Sequence, residues 1–186
     1  TPEVLLYRVF PHLAAARTGR PGHALHIHPR QGSGRWDNPH LYKVVYLATS
    51  PEAAIGETFA DRSVWSPAML RVPQIPGASR ALGVYRLREE SHPFLDLDDA
   101  NALAARSIRP SFVVARNRPR TQAIAASVHA EAKWSGIQWW SFHRPQWTVA
   151  ALWATADLVF DHMERLPGHV ALEEAAATLG RPVLDL

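Results

Sequence analysis

Three residues with side chains suited to ligand chemistry follow one another at equal intervals of eleven positions: Arg35, Tyr46 and Glu57. Arg35 lies in the loop sequence GSGRWDNP, whose glycines let a backbone come close to a ligand. A guanidinium bonds two oxygens of an anion such as phosphate at once. Glu57 has small residues as its helix neighbours, which leaves room for something to approach its carboxylate. Arg35 is therefore a candidate for binding an anionic ligand, and Glu57 is a candidate for a functional carboxylate.

Each candidate residue also has an ordinary structural interpretation. Glu57 lies away from the apolar side of its predicted helix, where a solvated glutamate is common. Arg35 can pair with Asp37 in its own loop, and a strand tyrosine such as Tyr46 packs in a core with its hydroxyl bonded. Ser141, between bulky aromatic residues in QWWSFHR, is by itself an ordinary strand serine.

Three histidines in GHALHIHP raise the question of a metal site: His23, His26 and His28. No acidic ligand sits close to them in the sequence, so we expect no metal ion. The chain has no cysteine, which excludes disulfides, thiolate zinc sites and a cysteine nucleophile. It also lacks the glycine-rich loops of nucleotide-binding proteins and the GxSxG motif of serine hydrolases.

The composition is that of a globular domain with a mildly basic surface. Of the 186 residues, 47% are hydrophobic, which is enough for a sizeable core. The formal net charge of +3 comes mostly from arginine and suits anions, but it is too small to imply nucleic acid. No apolar run approaches the roughly 18 residues that span a bilayer. Arg8 and Pro11 interrupt the first apolar segment, so we expect no secretory signal.

Apolar periodicity and turn residues predict a mixed α/β or α+β domain with short strands. The predicted strands are 5–10, 43–50, 81–89, 110–117, 137–144 and 147–155. The predicted helices are 50–62, a short helix capped near Asp98, 118–136 and 167–182. Ser50 is predicted to cap the first helix, while Gly136 and Gly180 are predicted to end the last two.

The segment GRWDNPHLYKVVYLATSPEAAIGETFA resembles the central part of the RES domain, a family named for an arginine, a glutamate and a serine. In that family a Gly-Arg-Trp-Asn loop precedes a strand with Tyr-Leu-Ala and a helix that opens on Ser-Pro-Glu. The matching positions are Arg35, Tyr46 and Glu57, and the family's serine corresponds to Ser141. In the opening strand, YRVF, the family's arginine corresponds to Arg8.

The resemblance implies an α+β fold similar to ADP-ribosyltransferases, a mixed α/β domain with small antiparallel sheets around a central NAD cleft. Residues 1–160 are then the RES-like catalytic domain, and 161–186 are a C-terminal helical extension packed on the same domain. It also implies the toxin of a bacterial toxin–antitoxin pair, which cleaves the nicotinamide–ribose bond of NAD+ with water or phosphate as acceptor. NAD+ is then the substrate, with no further cofactor and no metal.

The resemblance gives each matching residue a role in this reaction. Cleavage develops positive charge on the ribose, which a carboxylate such as Glu57 stabilises. Arg35, together with Arg8, is expected to clamp the two phosphates. Tyr46 is expected to pack on nicotinamide or bond a ribose hydroxyl, and Ser141 to bond the nicotinamide ribose or the carboxamide. The predicted catalytic residues are thus Glu57, Arg35, Tyr46 and Ser141, and those predicted to bind NAD+ are Arg8, Arg35, Tyr46 and Ser141.

The implied partner is a helix-turn-helix antitoxin of the Xre type, and a homodimer within that complex is compatible with the resemblance. The chain itself is expected to bind neither membrane nor nucleic acid and to act in the cytoplasm. Three alternatives stay open. The acceptor of ADP-ribose is a protein, or the chain is a basic module that binds RNA through arginines and seven tryptophans, or it is an inactive relative that binds only its partner.

Overall fold

The computed structural model describes residues 3–88 and 90–186 of the chain. The strands are β1 (Glu3–His12), β2 (Val45–Ala48), β3 (Ser79–Arg88), β4 (Phe94–Asp96), β5 (Gly136–Trp140), β6 (Thr148–Leu152) and β7 (Val159–Arg165). The helices are α1 (Pro51–Phe59), α2 (Ala100–Ala105), α3 (Pro110–Val113), α4 (Arg118–Ala130) and α5 (Val170–Leu179). Two short 3₁₀ turns occupy Pro67–Leu70 and Thr155–Asp157.

The seven described strands form one mixed sheet in the order β4-β5-β6-β2-β1-β3-β7. β4 and β5 are parallel, and the other neighbouring pairs are antiparallel. The resemblance implied small antiparallel sheets, whereas the described strands form one mixed sheet with a weak seam. β1 and β2 share the single register pair Tyr7–Ala48, although β1 pairs with β3 along its whole length. The seam is the place where the sheet opens.

The sheet carries a hydrophobic core on each face. One face packs against α1, α4 and α5, in a core that includes Trp36 and Phe59. The opposite face is covered by loop residues 13–30 and has a core that includes Phe10 and Tyr85. Because side chains alternate along a strand, successive residues of β1 and β2 point into different cores.

Helix α1 begins as predicted from its sequence. The Ser50 hydroxyl accepts a hydrogen bond from the backbone N–H of Ala53 at 3.2 Å. Ile55 and Phe59 are buried against the sheet, whereas Glu57 is exposed on the other side of the helix. The cap and the apolar side together orient the helix so that Glu57 stays accessible.

Most predicted elements are present, with bounds that differ by a few residues. Strands lie within or around the predicted segments 5–10, 43–50, 81–89, 137–144 and 147–155, and Glu89 lies outside the described residues. The short helix is capped by Asp99, one residue after the predicted position. α5 ends as predicted at Gly180, which takes a left-handed conformation with φ of 63°.

The predicted strand at 110–117 is wrong, because its first four residues form the helical turn α3. Pro110 occupies the first helical position, where its fixed φ and missing N–H are no disadvantage. Val113 is buried in the core on the helix side of the sheet. The β-branched residues that suggested a strand therefore pack a helical turn instead.

The predicted end of the fourth helix at Gly136 is also wrong. α4 ends at Ala130, and Ala132 has a positive φ of 54°, which stops the helix. Gly136 instead begins β5, where a Cβ atom would overlap the carbonyl oxygen of Ala151. Close strand contact, rather than a helix cap, explains this glycine.

β7 is an edge strand that the sequence analysis did not predict. Its sequence VFDHMER is mostly polar and half-exposed, so it lacks the apolar alternation that marks an inner strand. It pairs with β3, and the predicted domain boundary at residue 160 falls inside it. α5 packs on α1, so the C-terminal segment is in contact with the helix that carries Glu57.

In the described part of the chain, no helix has the length and apolar character required to cross a membrane.

Acidic and basic side chains alternate at the end of β7. His162 contacts Asp161 at 2.8 Å and Glu164 at 3.1 Å, and His169 contacts Glu164 at 2.8 Å. Hydrogen bonds to Asp161 and Glu164 raise the pKa of His162 above its ordinary 6.5. Hydrogen bonds from His169 and His162 lower the pKa of Glu164 below its ordinary 4.5.

We expect His162→Gln to be less stable than wild type at pH 6 and equally stable at pH 9. A histidine with a raised pKa stabilises the fold fully below pH 6.5, and this stabilisation is lost as the pH rises through the raised value. The difference in the free energy of unfolding between wild type and variant should stay below about 1 kcal/mol, because the side chain of His162 and its acidic partners are half-exposed. Urea unfolding at both pH values measures it, with His40→Gln at an exposed histidine as control. An equal difference at both pH values contradicts the assignment.

Candidate functional site

A cleft opens at the seam between β1 and β2, under helix α1. It consists of two adjoining cavities, here named the apolar cavity, of about 250 Å³, and the arginine cavity, of about 670 Å³. Tyr46, Glu57 and Trp139 line both cavities, so they mark the junction. The apolar cavity is further lined by Tyr7, Arg8, Val9, Leu47, Ala48, Ala54, Thr58 and Val149. The arginine cavity is further lined by Gly34, Arg35, Asp61, Arg116, Arg118, Phe142 and His143.

A buried serine orients the carboxylate of Glu57. The hydroxyl of Ser141 donates a hydrogen bond to Oε1 of Glu57. The same hydroxyl accepts from the backbone N–H groups of His143, at 3.0 Å, and Arg144, at 3.2 Å. Ser141 is fully buried and lines neither cavity, so it lies behind Glu57 as seen from the cleft. Tertiary structure thus joins two predicted site residues that are 84 positions apart.

Gly56, next to Glu57, makes room for the hairpin that carries Ser141. A Cβ atom on Gly56 would overlap the six-membered ring of Trp147. The carbonyl of Trp147 in turn accepts a hydrogen bond from the backbone N–H of Ser141 at 2.8 Å. The glycine therefore lets helix α1 approach the hairpin closely enough for Glu57 and Ser141 to meet.

Gly56→Ala is expected to lower the free energy of unfolding by about 2 kcal/mol. At a helix position with free space around it, Gly→Ala raises the free energy of unfolding by about 1 kcal/mol. A decrease at position 56 therefore indicates that the added Cβ atom meets Trp147. Urea denaturation measures the change. Combining it with Trp147→Leu, which vacates the space, should cost less than the sum of the single changes. An additive double mutant means that the two residues do not compete for this space.

Asp37 organises the loop GSGRWDNP from within. Its buried carboxylate accepts hydrogen bonds from the N–H groups of Gly32 and Gly34, each at 2.8 Å, and from the Tyr46 hydroxyl at 2.7 Å. A Cβ atom on Gly34 would overlap Asp37 and the hydroxyl of Tyr46. Burial raises the pKa of Tyr46, and the charge of Asp37 adds to the effect, so the hydroxyl stays protonated as a donor. Trp36, the residue before Asp37, is fully buried and anchors the loop in the core.

Arg35 reaches from this loop to the turn after α3. Its Nη1 donates to the carbonyl oxygens of Val113, at 2.9 Å, and Ala115, at 2.6 Å. Among the described residues there is no ion pair between Arg35 and Asp37, which was the ordinary alternative. Burial lowers the pKa of Arg35, and the charge of Arg118 lowers it further. Arg35 therefore lines the arginine cavity and also ties two segments together.

Arg8 of β1 lines the apolar cavity. Because side chains alternate along a strand, Arg8 lies on the sheet face of Leu6 and Phe10, opposite to the face of Tyr7. Its Nη1 donates to the carbonyl of His26 at 3.4 Å. Burial lowers the pKa of Arg8. A role of Arg8 in binding NAD+ stays a prediction.

The cleft-lining residues that were missing from the predicted site include Arg116, Arg118, Trp139 and Phe142. The two arginines lie in RNRPR, three arginines within five residues, and this charge cluster is the signal that points to them. The guanidinium of Arg116 lies 5.7 Å from the ring centroid of Phe142, which is exposed. Trp139 is buried and meets the ring of Tyr46 edge-on at 6.4 Å. Nothing in the local sequence distinguishes these two aromatic residues from others in the chain.

The three histidines of GHALHIHP contact backbone atoms of their own loop. His23 accepts from the N–H of Leu25 at 3.1 Å, and His26 lies 2.9 Å from the carbonyl of Gly19. Within residues 3–88 and 90–186, no three histidine, aspartate or glutamate side chains are grouped so that they can hold a metal ion.

The sequence of this chain matches a known protein family. A model of the RES domain family matches residues 5–172. The chain belongs to the RES domain family. The match covers β1 to the start of α5 and therefore includes every residue of the predicted site.

A solved structure shares the fold of this RES domain. The M. tuberculosis MbcT–MbcA toxin–antitoxin complex contains a chain that superposes with a TM-score of 0.63. The two chains are 20% identical, and the alignment covers 94% of this chain and 90% of that chain. At this identity the likeness concerns the fold. No curated protein matches the sequence significantly.

Proposed function

We propose that this RES domain is the toxin of a bacterial toxin–antitoxin pair and cleaves the nicotinamide–ribose bond of NAD+, with water or phosphate as acceptor. One observation carries the proposal. Glu57 stands where an apolar cavity meets an arginine-lined cavity, and a buried serine holds its carboxylate. RES membership supports an enzyme, and the fold shared with a chain of a toxin–antitoxin complex supports the toxin role.

The two cavities suit the two ends of the proposed substrate. Nicotinamide is a flat aromatic ring, and the walls of the apolar cavity include Tyr7, Val9 and Val149. The diphosphate of NAD+ carries two negative charges, and the arginine cavity is lined by guanidinium groups. With the ring in one cavity and the diphosphate in the other, the bond between nicotinamide and ribose lies beside Glu57.

The chemistry then needs one fixed carboxylate. When the bond between ribose C1′ and the nicotinamide nitrogen breaks, its electron pair stays on nicotinamide, which leaves as a neutral molecule. The ribose acquires the positive charge of an oxocarbenium-like state, and the carboxylate of Glu57 stabilises it. An oxygen of water or phosphate then bonds to C1′, and a water acceptor releases its proton to the solvent.

In this proposal, the other residues of the site hold the carboxylate of Glu57 and the wall of the cleft in place. The hydroxyl of Ser141 donates to Glu57 and accepts two backbone N–H groups, so it fixes the carboxylate and does not serve as a nucleophile. Tyr46, held by Asp37, forms a rigid wall at the junction of the cavities. A carboxylate that is already oriented has less reorganisation to undergo during the reaction.

The proposal extends to the fold class and the partner. An opening within the sheet, at the seam of β1 and β2, supports an ADP-ribosyltransferase-like arrangement around the cleft. A Xre-type helix-turn-helix antitoxin that blocks this cleft is the proposed partner, and the cytoplasm is the proposed site of action.

The experiment is to incubate the purified chain with NAD+ with and without phosphate and to follow nicotinamide by chromatography. Free ADP-ribose identifies water as the acceptor, and a phosphorylated ADP-ribose identifies phosphate. Adenine-labelled NAD+ tests the alternative of transfer to a protein. If NAD+ stays intact with every acceptor, the proposal fails, and salt-dependent RNA binding by the same sample would favour the RNA-binding alternative.

A further inference from the structure

The arginine cavity concentrates positive charge from two separate segments. Arg35 comes from the loop GSGRWDNP, whereas Arg116 lies in the turn between α3 and α4 and Arg118 is the first residue of α4. Glu57 and Asp61 line the same cavity. Within the described residues, none of the three arginines forms an ion pair. Three arginines and two acidic residues therefore line the same space.

Arg35 is already engaged with the protein backbone. Its Nη1 donates to the carbonyl oxygens of Val113, the last residue of α3, and of Ala115, two residues after the helix. Carbonyls at the end of a helix have no partner within the helix, so this contact satisfies groups that are otherwise unpaired. It also holds the segment that leads directly into Arg116 and Arg118.

Arg118 has the opposite character. Its Nη1 is buried and meets no hydrogen-bond acceptor among the described residues. A buried donor without an acceptor is unfavourable, and a guanidinium more so because of its charge. The charge of Arg118 also lowers the pKa of Arg35, after the larger effect of burial, so the two groups are close enough to repel. An anion that reaches the guanidinium of Arg118 supplies an acceptor and offsets the repulsion.

We propose that Arg116 and Arg118 form the diphosphate subsite of the cleft and that Arg35 is a positioning residue, which holds the segment that carries them. The assignment rests on the proposed function in that the diphosphate belongs to NAD+. Arginine forks bond pairs of phosphate oxygens, and Arg116 is exposed and so free to reach an incoming nucleotide. The clamp role that the family resemblance implied for Arg35 is then indirect.

Binding of ADP and adenosine to the purified chain, measured by calorimetry, tests the subsite without any turnover. ADP contains the diphosphate and adenosine lacks it. We expect Arg116→Gln and Arg118→Gln each to weaken ADP binding by about tenfold or more, with little change for adenosine. Arg120→Gln is the matched control, since Arg120 lies 4.1 Å from the ring centroid of Phe112 and lines neither cavity of the cleft.

The subsite is refuted if Arg118→Gln binds ADP as tightly as wild type, or if wild type does not prefer ADP to adenosine. A chain that binds ADP through Arg118 but leaves NAD+ intact retains the subsite and refutes the proposed function. The two failures are therefore distinguishable.

Arg35 is tested by a double-mutant cycle on ADP binding. If Arg35 acts through the segment that carries the other arginines, Arg35→Gln and Arg118→Gln together should weaken binding by much less than the product of their separate factors. Arg35→Gln should also lower the melting temperature, because two carbonyls lose their donor, whereas Arg118→Gln should not. Independent, multiplicative effects on ADP affinity show direct contact of Arg35 with phosphate and refute the positioning role.

Discussion

Nicotinamide release from NAD+ is expected to fall by about 10³-fold in Glu57→Gln. Glutamine has the size of glutamate, and its amide oxygen can still accept the hydrogen bond from Ser141. What it lacks is the negative charge that stabilises the oxocarbenium-like ribose. Initial rates of nicotinamide release at saturating NAD+ measure the effect, and the melting temperature should stay close to that of wild type.

The control for this change is Glu173→Gln, which removes one charge from an exposed position in the first turn of α5. It should leave the rate of nicotinamide release within about twofold of wild type, because no cavity of the cleft contains Glu173. If Glu57→Gln retains a rate similar to that of the control, Glu57 does not stabilise the reacting ribose and the proposed mechanism is wrong.

Asp37→Ala is expected to lower the free energy of unfolding by about 3 kcal/mol. The change leaves three donors without their acceptor: the N–H groups of Gly32 and Gly34 and the hydroxyl of Tyr46. An unsatisfied buried donor costs about 1–3 kcal/mol, but Gly32 is exposed and Gly34 is half-buried, so water replaces part of what their N–H groups lose. Urea unfolding measures the loss, and faster amide hydrogen exchange at Gly32 and Gly34 should accompany it.

A matched control is Asp98→Ala, at an exposed aspartate outside the cleft, with an expected change within about 0.5 kcal/mol. A loss of less than about 1 kcal/mol in Asp37→Ala contradicts the view that this carboxylate organises the loop. The catalytic rate of the same variant is informative as well. If Tyr46 is a rigid wall of the cleft, releasing its hydroxyl should raise the Michaelis constant for NAD+.

Elements with strong local signals were predictable from the sequence. Helix α1 has a capping serine, a proline in its first turn and an apolar side, and all three depend on residues within a few positions of one another. The end of α5 is also predictable from a local residue, because Gly180 takes the left-handed conformation there. Local chemistry determines such boundaries because a helix end is satisfied by its immediate neighbours.

The segment from residue 110 to 136 differs from its predicted structure for a reason that is not local. Val113 and its β-branched neighbour are typical of a strand, yet the turn packs against the helix side of the sheet and its carbonyl bonds Arg35. Gly136 looks like a helix stop in sequence, but it is required by the carbonyl of Ala151 on the neighbouring strand. Tertiary contacts overrode the intrinsic preference at both positions.

The sequence alone determined the membership in a fold family and the spacing of Arg35, Tyr46 and Glu57, since one loop, one strand and one helix carry them in succession. Only the tertiary structure decided their environment. Ser141 meets Glu57 across 84 positions because β6 pairs with both β2 and β5, which brings the hairpin beside α1. Arg35 meets Val113 across 78 positions and so holds the turn that leads into Arg118, the first residue of α4. Long-range strand pairing and packing, which no local pattern encodes, set these contacts.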